Sequence, residues 1–242
     1  MLTSRIIPIL LYRGVELVKG QRFDSWRGVG SAIQAMNIYD RRKVDELILL
    51  DVGATREGRG PDLDLVAEVA DEFRSPLTVG GGIRSLEDVK QLMRSGADKV
   101  AIGTRTDLIP EIADSFGCQA VVASVDYKAK ECYIRSGTQS IGFNPVAVAK
   151  RLAGDGAGEI LLNCIDRDGT QQGYDLETLQ QVCLSVDVPV IACGGCSGYP
   201  DMAKALQAGA SAVAAGALFT FTQATPIGAS RYLKEKGFHV RV

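Results

Sequence analysis

Histidine, tryptophan and long apolar runs are scarce in this sequence of 242 residues, which holds one histidine and one tryptophan. Because the histidine is His239, near the end, we expect neither a histidine-based metal site nor a Ser-His-Asp triad. No apolar run reaches the roughly 18 residues that cross a bilayer. The opening segment Met1–Gly20 lacks a small-residue cleavage site and soon becomes charged, unlike a signal peptide. These absences predict a cytoplasmic protein.

The sequence also has no large excess of charge of either sign, since it contains 27 Lys and Arg residues and 29 Asp and Glu residues, for a net charge of -2. This balance argues against nucleic acid or a membrane surface as a partner. The six cysteines form no disulfide framework. Cys193 and Cys196 make one CxxC pair, for which reduced thiols are favoured over a redox or metal role. We expect no cofactor and no bound metal.

Short apolar runs rich in Val, Ile, Leu and Ala alternate with amphipathic segments along the chain. Such runs predict parallel strands that are buried on both faces. The eight predicted strands are Ile6–Leu11, Leu47–Val52, Leu77–Val79, Val100–Ile102, Ala120–Val125, Ile160–Cys164, Val188–Ala192 and Ala212–Ala215. Helical spacing of apolar residues marks Asp62–Phe73, Ser85–Ser95, Asn144–Leu152, Asp175–Leu184 and Asp201–Ala208. The order predicts an α/β protein, a (β/α)8 TIM barrel that residues 1–242 form as a single domain. A doubly wound open sheet is the alternative, but no GxGxxG follows the first strand.

The sequence repeats itself at about half its length. Val79–Thr104 aligns with Ala192–Ala217 at an offset of 113, so that four glycines coincide. A second match brings Asp51 onto Asp166 at an offset of 115. Two similar half-barrels of four βα units would explain this pattern.

Glycines end the predicted strands in both halves at this spacing, and the first half shows them as Gly80–Gly82 and Gly103. Because glycine has no side chain, backbone amides can approach an anion closely, and a following helix N-terminus favours negative charge. Tight βα turns would explain one such pair, but two matched pairs predict two phosphate sites and a ligand with a phosphate at each end. The predicted phosphate-binding residues are Gly81, Gly82, Gly103, Thr104, Gly194, Gly195, Gly216 and Ala217.

Motifs spread from one end of the sequence to the other carry a resemblance to a known family. They are RIIP, VKG, DELILLD, TVGGGI, GADKV, FGCQAVVASVDYK, GAGEILL, IDRDGTQQGYD and FHVRV. In these motifs the chain resembles the HisF family, the cyclase subunits of imidazole glycerol phosphate synthase. The resemblance implies a heterodimer with a HisH-like glutaminase, whose ammonia enters the bottom of the barrel and reaches a phosphorylated small molecule at the top.

The resemblance also implies a ring of four charged residues at the ammonia entrance, which here are Arg5, Glu46, Lys99 and Glu159. Each lies at the N-terminal edge of a predicted strand. Two positive and two negative side chains can pair into a closed ring, and pairing is expected because an unpaired buried charge is costly. A salt-bridge plug that serves stability is the plainer alternative.

The cyclase reaction of this family uses two aspartates as general acid and base, one from each half. The resemblance assigns one of them to Asp126 in SVDYK. The other position, 115 residues earlier, holds Leu11, which cannot transfer a proton. Tyr12 is expected to face the opposite side of the strand, and Glu16 lies in the following loop, so neither replaces the missing carboxylate well.

Further positions match the family's site: Lys19, Asp51, Asp166 and Thr170 as substrate-binding residues, and Asp168 and Gly169 as phosphate-binding residues. Lys19 is expected to neutralise a phosphate or to shield the site when the loop after the first strand closes. A helix or loop cap is the plainer role for Asp51, and a tight turn with Gly169 is the plainer role for Asp168.

Leu11 fits a second group of HisF-like proteins better than the histidine pathway. That group occurs in surface-polysaccharide biosynthesis, beside a HisH-like glutaminase and an N-acetyl-sugar amidotransferase, and passes ammonia toward acetamidino groups. We therefore expect a HisF-like synthase subunit of sugar amidination. The alternatives are an authentic cyclase subunit of histidine biosynthesis, a non-catalytic activator of the glutaminase and an unrelated phosphosugar isomerase of similar barrel build. Leu11 also counts against the related isomerase of the histidine pathway, because that enzyme needs two acids as well.

Overall fold

The computed structural model describes residues 3–242. Its strands are β1 (Arg5–Arg13), β2 (Glu16–Gln21), β3 (Asp24–Ser31), β4 (Leu47–Asp51), β5 (Leu77–Gly80), β6 (Lys99–Ile102), β7 (Val121–Lys128), β8 (Glu131–Ile134), β9 (Gln139–Ser140), β10 (Glu159–Cys164), β11 (Val190–Cys193) and β12 (Ala212–Ala215). Its α-helices are α1 (Ala32–Arg41), α2 (Ala54–Glu57), α3 (Leu63–Glu72), α4 (Leu86–Arg94), α5 (Ile109–Phe116), α6 (Pro145–Gly154), α7 (Leu176–Cys183), α8 (Tyr199–Gln207), α9 (Ala217–Phe221) and α10 (Pro226–Glu235). Short 3-10 turns cover Thr106–Leu108 and Cys118–Ala120.

Eight parallel strands close into a barrel in the order β1, β4, β5, β6, β7, β10, β11 and β12, and β12 pairs back with β1. Helices lie between successive strands, which confirms the predicted (β/α)8 barrel. Strand boundaries agree with the prediction to within a few residues. β11 begins at Val190 because Pro189 has no N–H group for the ladder, although its carbonyl accepts from Ile160.

Two apolar layers explain why the strands read as continuous apolar runs. Inward-facing side chains fill the lumen, and they are Ile7, Ile9, Ile48, Ala101, Val122, Leu161, Ile191, Ala212 and Ala214. Outward-facing side chains such as Leu10 and Leu49 pack under the helices. Since neighbouring residues on a strand point to opposite faces, both layers need apolar residues at successive positions.

Helix starts follow the signals that the sequence predicts. Ser85 and Asp88 form a reciprocal capping box at α4. The side chains of Asp62, Asn144 and Asp175 each accept a backbone N–H at the starts of α3, α6 and α7. No helix in the described part of the chain, residues 3–242, is long and apolar enough to cross a membrane.

The strand register repeats between the two halves. Leu11 pairs with Leu50 across β1 and β4, and Asp126 pairs with Asn163 across β7 and β10. The first strands of the halves are therefore related by an offset of 115, as Leu11 and Asp126 predicted, whereas β4 and β10 are related by 113. This register corrects one predicted match, because the residue equivalent to Asp51 is Cys164, two positions before Asp166.

The sequence reading missed two antiparallel hairpins, one in each half. β2 and β3 extend from the end of β1, and β8 and β9 extend from the end of β7. Both lie at the C-terminal end of the barrel, where a cavity opens between the strands and the hairpins.

Candidate active site

Leu11 and Asp126 lie on diametrically opposite strands and both line this cavity where it meets the lumen. Leu11 packs, with Leu50, against the apolar cluster that fills the lumen. Asp126 stands instead among polar neighbours, and the Ser124 hydroxyl donates to its carboxylate over 3.2 Å. The first-half side of the cavity floor is therefore apolar, and the second-half side carries the carboxylate.

Burial raises the pKa of Asp126 to about 7, although hydrogen bonds from Ser124 and Asn163 act in the opposite direction. A carboxyl with a pKa near neutrality exchanges a proton readily at physiological pH, which suits a general acid or base. Tyr12 is buried in the outer apolar layer, so it faces away from the lumen as the strand alternation predicts. Burial raises the pKa of Tyr12 above its usual value.

The first-half glycine turns line the cavity beside one another. Gly81 has φ +104°, and a β-carbon at this position would lie 2.3 Å from the Asp51 carbonyl oxygen. Only glycine fits both the conformation and the space. The backbone amides of Gly103 and Thr104 donate to no acceptor within residues 3–242, so they remain available to an anion at the cavity wall.

The second-half turns repeat this arrangement with Gly194, Gly195, Gly216 and Ala217, all of which line the cavity. The amides of Gly216 and Ala217 likewise donate to no acceptor in the described part of the chain. A β-carbon at position 216 would meet the Lys19 Nζ at 2.5 Å, so the Lys19 ammonium stands at this turn. The predicted residues of each phosphate site are thus brought together, one group in each half.

Lys19 is only 4% exposed, and its ammonium donates to the Ile9 carbonyl over 3.1 Å. No carboxylate of residues 3–242 lies within 4.0 Å of it. Burial lowers the pKa of Lys19 to about 8, against the opposing influence of Asp168. Burial raises the pKa of Asp168 to about 6, against the charge of Lys19. A buried cation without a paired carboxylate, beside open amides, is well placed to meet an anion.

Asp51 lines the cavity, but its carboxylate is engaged by the protein itself. It accepts the amides of Gly53 and Ala54 at 2.9 and 3.0 Å. It also forms an ion pair with Arg59 at 2.7 Å. Asp51 therefore shapes the loop after β4, which is the plainer of the two predicted roles.

Asp166 and Thr170 are not among the residues that line the cavity. The Asp166 carboxylate accepts the Ala129 amide at 2.8 Å, and the Thr170 hydroxyl donates to the Arg167 carbonyl over 2.7 Å. Both hold loop geometry. Asp168 and Gly169, between them in sequence, do line the cavity.

The four charged residues at the opposite end of the barrel form a closed, alternating ring. Arg5 contacts Glu46 and Glu159, each at 2.5 Å. Lys99 contacts the same two carboxylates at 3.1 and 2.7 Å. Burial raises the pKa of Glu159, but the bonds from Arg5 and Lys99 outweigh it and hold this pKa below its usual value. Thr78 adds a hydrogen bond to Glu46 at 2.8 Å.

Several residues that line the cavity were missed from the sequence. Asn163 is the register partner of Asp126, and the observed offset of 113 from Leu50 would have located it. Phe23, Trp26, Arg135 and Gln171 come from segments that carry no period or repeat. No group of three or more His, Cys, Asp or Glu side chains within residues 3–242 is arranged to hold a metal ion.

Fold and site together define a (β/α)8 barrel of two equivalent halves, with paired glycine turns and the half-buried carboxyl group of Asp126 at the same end. Residues 5–225 match the family described as "Histidine biosynthesis protein". The chain is 44% identical over 255 residues to the "Imidazole glycerol phosphate synthase subunit HisF" of Dictyoglomus thermophilum, with 100% of each chain covered. It is 41% identical to the proteins of that name from Exiguobacterium sibiricum, with 100% of each covered, and Corynebacterium glutamicum, with 98% of each covered. The chain therefore belongs to the HisF family of histidine biosynthesis proteins.

Proposed function

We propose that this chain is the ammonia-accepting subunit of an imidazole glycerol phosphate synthase, and that a HisH-like glutaminase docks at the charged ring. The names of its relatives support this activity over sugar amidination. The carrying observation is the order of features along the barrel axis: the ring, then the apolar lumen, then Asp126 between two glycine-lined turns.

The apolar lumen is better suited to the passage of neutral ammonia than to that of the ammonium ion. An unpaired ammonium ion would lose on the order of several kcal/mol of hydration there, whereas ammonia carries no charge. The ring formed by Arg5, Glu46, Lys99 and Glu159 stands at the entrance to this route. Its four charges satisfy one another, so it can remain closed until a partner rearranges it.

At the other end, the ligand would span the cavity with one phosphate at each pair of glycine turns. The amides of Gly103 and Thr104 would hold one phosphate, and those of Gly216 and Ala217, with Lys19, would hold the other. Asp126 then lies between the two ends, where it can accept or donate the proton that ammonia addition requires.

Leu11 favours a second candidate, ammonia delivery for acetamidino sugars in surface-polysaccharide biosynthesis, beside an N-acetyl-sugar amidotransferase. The first-half carboxylate expected for cyclisation is replaced by an apolar contact with Leu50 and the lumen. Loss of one member of a general acid–base pair typically costs about 10²–10⁴-fold in rate. A reaction that needs only one carboxylate would tolerate this site.

The proposal is tested by the rate at which the purified chain forms imidazole glycerol phosphate with saturating ammonium salt. The same rate is measured for Leu11→Asp and Asp126→Asn. We expect wild-type turnover that falls about 10²–10⁴-fold in Asp126→Asn. Turnover only in Leu11→Asp would reject the cyclase and support the second candidate, since the remaining site would then be intact. No turnover in any variant, with glutaminase activation that Asp126→Asn leaves unchanged, would identify a non-catalytic activator instead.

A further inference from the structure

The two hairpins at the cavity each reach across to the other half of the barrel. The first-half hairpin, β2–β3, packs on the loop after β10: the Arg22 amide donates to the Asp168 carbonyl over 2.9 Å. A β-carbon at Gly169 would lie 2.2 Å from the Gly20 carbonyl oxygen, so the two backbones are in close contact. The same hairpin carries Lys19 to the second-half glycine turn at Gly216.

The second-half hairpin, β8–β9, makes the reciprocal crossing. The Arg135 amide at its turn donates to the Thr104 hydroxyl over 3.1 Å, which places Arg135 beside the first-half turn. Ile134, Arg135 and Ser136 line the cavity there. At the offset of 115 that relates β1 to β7, Arg135 corresponds to Gly20, the residue after Lys19.

The turn that presents Arg135 is held in an unfavourable backbone conformation. Arg135 and Ser136 have φ +53° and +55°, in the left-handed region that side chains other than glycine seldom adopt. Arg56 holds this turn by donating to the Ser136 carbonyl over 2.8 Å, and the same Nη2 contacts the Phe23 carbonyl at 3.2 Å. Strain maintained by contacts on both sides favours a turn whose geometry serves a site.

The guanidinium of Arg135 is not committed to another protein group. It makes no ion pair or side-chain hydrogen bond within residues 3–242, and it is exposed at the cavity mouth. Arg105 also lines this part of the cavity, but its guanidinium is taken up by Asp107 at 2.7 Å and by the Arg84 carbonyl. Arg135 is therefore the arginine at this turn with a free fork for a planar or tetrahedral oxyanion.

We propose that Arg135 binds the phosphate held at the first-half glycine turn, so that each half of the barrel supplies the cation for the other half's site. The inference rests on the proposed function, because it assumes that both turns bind phosphate groups. Lys19 and Arg135 are then counterparts: a buried point charge at one turn and an exposed, bidentate donor at the other.

Titration of the whole chain with inorganic phosphate, followed through the backbone NMR signals of Gly103, Thr104, Gly216 and Ala217, separates the two sites. Arg135→Gln is expected to weaken phosphate about 5- to 20-fold at Gly103 and Thr104, as loss of a charge-assisted bond at an exposed group predicts. Affinity at Gly216 and Ala217 is expected to stay within about twofold. Arg135→Lys retains the charge but not the bidentate guanidinium, so its phosphate affinity at Gly103 and Thr104 should lie between those of the wild type and Arg135→Gln.

Arg94→Gln, which removes the same charge from the exposed end of α4, is the control and should change neither site. Equal losses at both turns in Arg135→Gln would overturn the inference, because they would indicate a general field effect. Unchanged affinity at Gly103 in a folded Arg135→Gln protein would overturn it as well. If wild-type signals at both turns fail to respond to phosphate, the proposed phosphate sites themselves are wrong.

Discussion

Leu11 and Asp126 occupy equivalent positions on opposite strands of the barrel, and only Asp126 can transfer a proton. Leu11 is joined on its side by Leu50, whereas Asp126 is joined by Asn163. The difference between the halves therefore involves a pair of neighbouring side chains, which are apolar at Leu11 and Leu50 and polar at Asp126 and Asn163.

The raised pKa of Asp126 predicts a pH-dependent change in stability. The unfolded chain releases this proton near pH 4, whereas the folded chain retains it to about pH 7. Stability from this group is therefore present below pH 4 and is lost as the pH rises toward and through 7. Asp126→Asn should raise the free energy of unfolding by roughly 2–4 kcal/mol at pH 8 and change it little at pH 4. Urea unfolding at both pH values measures this, and the exposed Asp114→Asn control should give the same small difference at each.

Breaking the charged ring is expected to destabilise the protein strongly. Glu46 is 1% exposed and pairs with both Arg5 and Lys99, so Glu46→Ala leaves two cations without this partner. The expected loss is about 3–5 kcal/mol in unfolding free energy. Glu177→Ala breaks an exposed pair with Lys130 and should cost less than ~1 kcal/mol. Similar losses in the two variants, in denaturant titrations, would contradict a buried ring.

Gly81→Ala should disturb the first-half turn by two routes. The residue has φ +104°, and the new β-carbon would meet the Asp51 carbonyl at 2.3 Å. We expect a loss of about 2–4 kcal/mol in stability and weaker phosphate binding. Gly14→Ala is a matched control, since Gly14 also has positive φ but has no atom within 4 Å of a β-carbon. It should cost about 1 kcal/mol, and calorimetric unfolding compares the two.

Phosphate affinity at the second-half turn should depend on the charge of Lys19. In the free protein this side chain loses its proton above about pH 8. The dissociation constant measured at Gly216 should therefore rise by roughly tenfold between pH 7.5 and 9.5, as one charge-assisted contact is lost. Lys19→Met should start with the weaker affinity and show no such rise. Lys130→Met, at an exposed site, should keep the wild-type pH profile.

The eight barrel strands were predictable because each is buried on both faces, which leaves a continuous apolar run in the sequence. The hairpins were not predictable in this way. β3 is mostly exposed along Asp24–Ser31, so its residues carry no alternation of apolar and polar side chains. The hairpin also contacts residues more than a hundred positions away, since the Arg22 amide, between β2 and β3, donates to the Asp168 carbonyl, and local sequence pattern does not report such contacts.

The glycine turns, the ring and Asp126 were predictable from the repeat and the family resemblance, and the structure brings the members of each group together. Asp51 shows the limit of that reasoning. The repeat matched it with Asp166, but β4 and β10 are related by an offset of 113, and the Asp51 carboxylate caps its own loop. Which residue of β10 is equivalent to Asp51 depends on the strand register, and local sequence similarity alone does not determine that register.

The hairpins β2–β3 and β8–β9 each contact the other half of the barrel. The two halves therefore exchange elements at the cavity as the two subunits of a domain-swapped dimer do, but within one chain. Each half contributes one hairpin to the other, and Arg56 contacts the turns of both hairpins, at Phe23 and Ser136. An isolated half-barrel would therefore carry its own glycine turns but lack the hairpin from the other half that contacts them. If each glycine turn binds one phosphate of the same ligand, as proposed, the contacts of both hairpins with that ligand must break before it leaves, so release from the two turns becomes a joint event.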